Sequence, residues 1–248
     1  AMIFQDPRAH INPVRTIGDF LTEGLRTNLG MRAGAARREA VGLLAEVGID
    51  DGERRLRQYP HELSGGLLQR VMIASALAGR PRLILADEPT TALDVTRQAE
   101  VVAILDRLRR ERGLGLLFIT HDLDLATAIC DRVSVMYAGS IVESRTAADL
   151  YARPRHPYTA ALLGARPSIE ARVARLPVVP GRPISAFEAP PGCAFGNRCP
   201  CAEDACHTDA QRLRVLDGGA VRCRRAGQPG VPATLIPSPA AAAKEIPS

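Results

Sequence analysis

The sequence predicts an α/β fold built on a parallel sheet, followed by a small cysteine-rich segment. Three observations carry that prediction. Leu83-Ile84-Leu85-Ala86 is a short apolar run closed by Asp87-Glu88, the pattern of a strand buried on both faces of a parallel sheet. Thr96 to Arg110 then holds Val101, Val102, Ile104, Leu105 and Leu108 at helical spacing, and Leu114 to Thr120 is the next apolar run. Strand, helix and strand at this separation predict a right-handed parallel crossover. Finally, five of the six cysteines fall between residues 193 and 223.

The elements before the first of these strands read as a loop and helices. Asn12-Pro13 breaks the opening, after which Ile17, Phe20, Leu21 and Leu25 recur at helical spacing, as do Val41, Leu44 and Val47. Beyond the second strand, Arg132 to Tyr137 and Ser140 to Glu143 alternate around Ala138-Gly139 and predict a hairpin. The texture changes near residue 150. His156-Pro157-Tyr158-Thr159 introduces a short apolar helix over 160–163, and prolines accumulate from Pro167 to Pro191. The expected organisation is therefore a main α/β portion over 1–150, a cysteine-rich extension over 151–226 and a Pro/Ala-rich disordered tail over 227–248.

Composition bounds what such a chain does. With 248 residues and 46% hydrophobic content, it is long enough for one sizeable domain and an appendage. No run of about 18 apolar residues predicts a membrane helix, and Asp6, Arg8 and Asn12 interrupt any signal-peptide pattern at the start. The net charge of +5 raises the question of nucleic acid. Clusters such as Arg107-Leu108-Arg109-Arg110-Glu111-Arg112 carry acidic neighbours at helical spacing, as a solvated face does, and no nucleic-acid partner is expected.

Two motifs carry chemistry. In Leu63-Ser64-Gly65-Gly66-Leu67-Leu68-Gln69-Arg70 a serine and two glycines open a helix. Backbone without Cβ approaches an anion closely there, and the helix dipole favours it. Asp87 and Glu88 close a strand, where one carboxylate can hold Mg²⁺ through its water shell and the other orient a nucleophilic water.

These residues together resemble the nucleotide-binding subunit of ABC transporters. Leu63 to Arg70 resembles the family signature, Leu83 to Pro89 the Walker B strand, Thr91-Ala92-Leu93-Asp94 the D-loop, Phe4-Gln5-Asp6-Pro7 the Q-loop, and Phe118 to Asp122 the switch-histidine segment. The H-P-Y-T segment and the Pro-rich stretch narrow the resemblance to oligopeptide and dipeptide importer ATPases. The resemblance implies a P-loop NTPase fold of ABC type, ATP and Mg²⁺ as ligands, and two such domains closing head to tail. Ser64, Gly65, Gly66 and Gln69 would then serve an ATP held by the partner domain. Asp87 would assist Mg²⁺, Glu88 would be the general base, Gln5 would contact Mg²⁺ and the water, His121 the γ-phosphate, and Asp94 would communicate across the dimer.

One expected part is not in the sequence. A phosphate loop has the form G-x-x-x-x-G-K-[ST], and the single lysine, Lys244, follows four alanines in the tail. Family order puts that loop upstream of Gln5. The chain is expected to be the C-terminal portion of a longer, N-terminally extended polypeptide, and inactive as an ATPase by itself.

The cysteines have their own reading. Disulfides are not expected in a chain that works with cytosolic ATP, and a Pro-rich segment with few apolar side chains needs a staple. Cys193, Cys199, Cys206 and Cys223 fall on the positions of the subfamily's ligand pattern around Arg198-Cys199-Pro200-Cys201-Ala202, with Cys201 as a substitute. Four thiolates suit either a 4Fe–4S cluster or zinc; the resemblance implies the cluster, and no close C-x-x-C pair favours zinc. Cys130 is expected to be a buried small hydrophobe on a helix.

The implied partners are a second nucleotide-binding domain, identical or not, two membrane permease subunits and, through them, an extracytoplasmic solute-binding protein. The implied location is peripheral, on the cytoplasmic face of the inner membrane. An importer ATPase for nickel or another small solute, a catalytically incomplete fragment and a soluble ABC ATPase of DNA repair or translation are the alternatives.

Overall fold

The computed structural model describes residues 1–91, 93–166 and 179–231. Ala92 of the D-loop, the first part of the proline-rich stretch and the tail beyond residue 231 lie outside the described residues. The chain divides into two compact units, Ala1–Asp122 and Leu123–Ser248.

The first unit holds the parallel sheet that the apolar runs predict. Strand β1 (Met2–Ile3) is followed by helices α1 (Pro7–His10), α2 (Ile17–Thr27), α3 (Ala33–Glu46), α4 (Gly52–Arg55) and α5 (Gly65–Ala78), then β2 (Leu83–Asp87), α6 (Val95–Arg112) and β3 (Gly115–Ile119). The strand order is β1-β2-β3, all parallel, with Ile3 opposite Ala86 and Asp87 opposite Ile119. Helix α2 starts at a capping box in which Thr16 and Asp19 satisfy each other's backbone donors, and it buries Ile17, Leu21 and Leu25 along one stripe. Helix α5 is apolar almost all round, and it packs against α2, α3 and α6 as the central helix of the unit.

The sheet differs from expectation on one point. Ile84 and Ala86 are buried, but Leu83 is 49% exposed and, on β3, Leu117 and Ile119 are 54% and 46% exposed. The strands are therefore covered on one face rather than on both. The Arg-rich end of α6 is solvated as expected: Arg107 pairs with Glu111, Arg109 and Arg110 with Asp106, and Arg112 with Glu46.

In the second unit, helix α7 (Leu123–Ile129) leads into β4 (Arg132–Tyr137) and β5 (Ser140–Thr146), then α8 (Ala147–Ala152), α9 (Pro157–Gly164), α10 (Asp204–Thr208), β6 (Arg214–Leu216) and β7 (Gly219–Val221). The predicted hairpin is present. Its turn places Ala138 and Gly139 at φ 45° and 76°, as a two-residue primed turn requires. The hairpin does not stand alone: the antiparallel order is β4-β5-β7-β6, so it shares a sheet with strands more than 60 residues on. The division between the two compact units falls at residue 122, because strand pairing draws the hairpin toward the C-terminal segment.

Central strand β5 carries a buried charged pair. Glu143 and Arg145 are 0% and 1% exposed. The Arg145 guanidinium lies 3.0 Å from the Glu143 carboxylate through Nε and donates to the Leu216 and Asp217 carbonyls. Glu143 in turn accepts from the backbone amides of Arg155 and His156, each at 2.8 Å. A buried pair persists when its remaining lone pairs and protons are also satisfied. The unit's apolar cluster gathers Val133, Val135, Tyr137, Val142, Leu150 and Phe195, with Cys130 partly buried at its edge, just past α7 rather than within it.

Candidate nucleotide site and cysteine cavity

Three candidate residues share one origin in the sheet. Gln5 follows β1, Glu88 follows β2 and His121 follows β3, so parallel pairing delivers all three to the carboxyl ends of adjacent strands. That edge is where open α/β sheets bind ligands. Glu88 turns out of β2 with φ 43°, a left-handed conformation uncommon for a residue with a side chain, and its amide donates to the Ile119 carbonyl at 3.0 Å. Backbone held so tightly aims the carboxylate. Its Oε2 accepts from the Gln5 amide at 3.1 Å and from the Thr91 hydroxyl at 2.8 Å, with His121 Nδ1 at 3.5 Å.

Thr91 is the residue that sequence reasoning missed. It stands three residues after Glu88, where a hydroxyl can reach back to a turn carboxylate. Asp87, the last residue of β2, is half-buried beside this group.

The signature residues form a separate surface of the same unit. Ser64 caps α5, its hydroxyl accepting from the Leu67 amide at 3.4 Å, and Gly65 and Gly66 open the helix. Asp94 caps α6 in the same manner and is 3.1 Å from Arg97 Nε. The Arg97 side chain links the two motifs, because a Cβ on Gly66 would stand 3.1 Å from Arg97 Cδ. Gln69 is not on this surface. It is 2% exposed within α5, and its Nε2 has no hydrogen-bond partner among the described residues.

The five clustered cysteines come together as the pattern predicts. Cys193, Cys199, Cys201, Cys206 and Cys223 all line one cavity, with His156 and Phe195 in the same wall. Gly192 makes the fold possible: a Cβ there would be 2.4 Å from the Cys206 carbonyl oxygen, and the neighbouring Cys193 amide donates to that oxygen at 2.7 Å. Arginines tie the surrounding loops by their backbone. Arg225 donates to the Cys201 carbonyl, Arg214 to those of Cys223 and Ala226, and Arg198 to those of Val179 and Pro180.

Sharing a cavity is not yet coordination. Among the described residues no group of three or more His, Cys, Asp or Glu side chains is arranged to hold a metal ion, which corrects the expectation of a formed ligand set. The physical reason is the state of the thiols. Burial raises Cys193 and Cys223 and pushes Cys199 up to about 12, and neighbouring sulfurs oppose ionisation further. Neutral thiols pack as small apolar groups and have no cause to converge on a point. His156 is also neutral, burial lowering it to about 4.

Comparison with known proteins now bears on this geometry. The ABC transporter family model matches residues 1–91, and the model for the oligopeptide/dipeptide transporter C-terminal region matches residues 142–206. A putative peptide import ATP-binding protein of Brucella abortus is 45% identical over 223 residues, 90% of this chain and 67% of its own. The dipeptide transport ATP-binding protein DppD of Escherichia coli is 45% identical over 224 residues, 90% of this chain and 68% of its own.

The chain belongs to the oligopeptide/dipeptide ABC transporter ATP-binding family.

Within that family, the oligopeptide transport ATP-binding protein OppD of Salmonella typhimurium is 44% identical over 222 residues, 90% of this chain and 66% of its own. The chain thus spans about two thirds of the length of the curated relatives it matches. Solved structures agree on the fold. CbiO1 from Clostridium perfringens, part of the ABC transporter complex cbiONQ, has a TM-score of 0.55 and 27% identity over 62% of this chain and 59% of its own. The ATP-binding cassette MJ0796, in a dimeric post-hydrolysis state bound to ADP and Pi, has a TM-score of 0.52 and 29% identity over 59% of this chain and 62% of its own. This family chain is therefore an ABC-type nucleotide-binding domain in its α/β portion, and its H-P-Y-T and following segment match the transporter C-terminal region.

Proposed function

We propose that this chain carries the signature, Walker B and switch-histidine parts of an ATPase that drives peptide import. The observation that carries the reading is the convergence of Gln5, Thr91 and His121 on one Glu88 carboxylate at the carboxyl edge of a parallel sheet. The names of the relatives supply the cargo, peptides, in preference to nickel or another small solute.

In this reading Glu88 is the general base that takes a proton from the attacking water, and Asp87 supports Mg²⁺ through its water shell. Gln5 would contact Mg²⁺ and the water, and His121 would bind the γ-phosphate. Ser64, Gly65 and Gly66 meet the γ-phosphate of ATP bound by a second nucleotide-binding domain, using backbone N–H groups at the start of α5. Asp94, held beside Arg97, relays closure between the two domains. Gln69, buried in α5, acts through packing of that helix rather than by touching nucleotide. The further partners are two permease subunits with their solute-binding protein, and the location is peripheral at the inner face of the membrane. No helix among the described residues is long and apolar enough to cross a bilayer. These 248 residues contain no phosphate-loop motif, so hydrolysis is assigned to the complete subunit and not to this segment alone.

The cysteine cavity belongs to the same reading, as the seat of a 4Fe–4S cluster held by Cys193, Cys199, Cys206 and Cys223, with Cys201 in reserve. The donor chemistry fits: five thiols share one cavity with a buried imidazole nitrogen that completes no hydrogen bond among the described residues. Four thiolates suit either zinc or a cluster, and the family resemblance is what favours the cluster. When bound, it would cross-link the loops of the extension.

Glu88→Gln in the complete subunit tests the ATPase assignment. ATP binding should persist while hydrolysis falls by at least about 100-fold, as for loss of a general base. Unchanged turnover would remove Glu88 from that role.

A further inference from the structure

The H-P-Y-T segment is a motif that ATP chemistry does not use, and its histidine is almost wholly enclosed. His156 is 1% exposed and precedes α9, where its Nδ1 accepts the Tyr158 amide proton at 3.0 Å. A ring nitrogen that accepts carries no proton, so the proton of this imidazole sits on Nε2. Nε2 is buried with no hydrogen-bond partner among the described residues. The Arg222 backbone lies near enough to favour the protonated ring slightly, without completing a hydrogen bond. The same residue stands in the wall of the cavity that the five cysteines share.

We propose that His156 is a positioning residue for a thiolate-ligated centre: its Nε2–H donates to a sulfur in this cavity while its Nδ1 caps α9. The inference rests on the cluster reading above. A neutral thiol is a weak acceptor, whereas a metal-bound thiolate or sulfide carries the negative charge that a buried N–H needs. The donor is rigid at both ends. Glu143 grips the His156 backbone amide at 2.8 Å and is itself held by Arg145, and the Tyr158 amide fixes the ring. Phe195, 6.2 Å from the imidazole centroid, shields the same wall. Hydrogen bonds to cluster sulfurs stabilise the reduced, more negative form, so this one raises the reduction potential.

The test uses the complete subunit purified without oxygen, with iron, acid-labile sulfide and midpoint potential measured. His156→Asn keeps an oxygen where Nδ1 caps the helix, a favoured N-cap residue, but removes Nε2–H. His156→Gln returns an N–H near the Nε2 position. We expect wild-type protein to hold iron and sulfide, the Asn variant to hold the same amounts at a lower potential, and the Gln variant to recover toward wild type. An Asn variant with full iron and an unchanged potential overturns the role of His156 and leaves the cluster in place. Wild-type protein without iron and sulfide overturns both. Should the Asn variant not fold, wild-type protein labelled with ¹⁵N-histidine answers instead by its electron-spin hyperfine spectrum in the reduced state. His207 borders the same segment, its Nδ1 3.2 Å from where a Gly196 Cβ would be, so His207→Asn is the control. A histidine coupling that survives that control supports the proposal, and its absence overturns it.

Discussion

The Thr91 hydroxyl donates to Glu88 Oε2 at 2.8 Å, the shortest of the contacts that hold this carboxylate. Gln5 reaches the same oxygen from the end of β1 and His121 approaches it from the end of β3. Thr91 alone acts from within the loop that follows the carboxylate. A hydrogen bond to a charged group contributes about 1.5–3 kcal/mol, enough to select one rotamer of a half-exposed side chain. In the complete subunit Thr91→Val should therefore lower kcat by roughly tenfold, which corresponds to about 1.4 kcal/mol, with little change in KM for ATP. Thr91→Ser, which keeps the hydroxyl, should stay near wild type. Equal losses in both variants would assign Thr91 to packing rather than to aiming the carboxylate.

The Glu143–Arg145 pair sets a different prediction, on stability. Removing one member of a buried pair leaves the other charged and unpaired, at a cost of about 3–5 kcal/mol. Glu143→Leu should lower the denaturant midpoint sharply, since it also strands the amides of Arg155 and His156. Arg145→Met should do likewise by leaving the Glu143 charge alone. The double replacement should lose less than the sum of the two, and strict additivity in a double-mutant cycle would show that the pair is not coupled.

Gly192 is the narrowest point of the cysteine segment. A methyl group there meets the Cys206 and His207 carbonyl oxygens at 2.4 and 2.5 Å, and both are backbone atoms that cannot swing away. Gly192→Ala should push residues 192–193 from residues 206–207 and open the cavity. Thiol labelling under native conditions reports this, with Cys193 and Cys206 reacting faster than in wild type. Gly65→Ala makes a useful contrast, because nothing stands within 4 Å of its Cβ position; thiol reactivity should not change.

Part of the candidate site was legible because parallel β-structure converts sequence order into position. Glu88 and His121 are far apart in the chain, yet each follows an apolar run that reads as a strand, so parallel pairing gathers them; Gln5 joins them through the two-residue strand Met2–Ile3, where the sequence reads as a loop. Thr91 was not legible in the same way. Threonine in a turn has many local partners, and only the left-handed backbone of Glu88 turns the carboxylate toward this hydroxyl. Gln69 misled for the converse reason: its place in the signature suggested a ligand contact, but the period of α5 rotates it into the interior.

The sequence by itself determined the family, the strand–helix–strand core, the helix start at Ser64, and the grouping of the cysteines, because each depends on neighbours within a few residues or on a spacing that the chain carries intact. Tertiary structure alone decided that β5 would pair with β7, that Glu143 and Arg145 would turn inward, and that His156 would share a wall with five sulfurs. The reason is long-range strand pairing. Val221 and Ala220 take the open edge of β5, and the turn between β6 and β7 brings the Leu216 and Asp217 carbonyls onto Arg145. A polar residue buried in that way persists only when distant backbone groups satisfy it, and those partners, at residues 155, 156, 216 and 217, cannot be read from the strand that needs them.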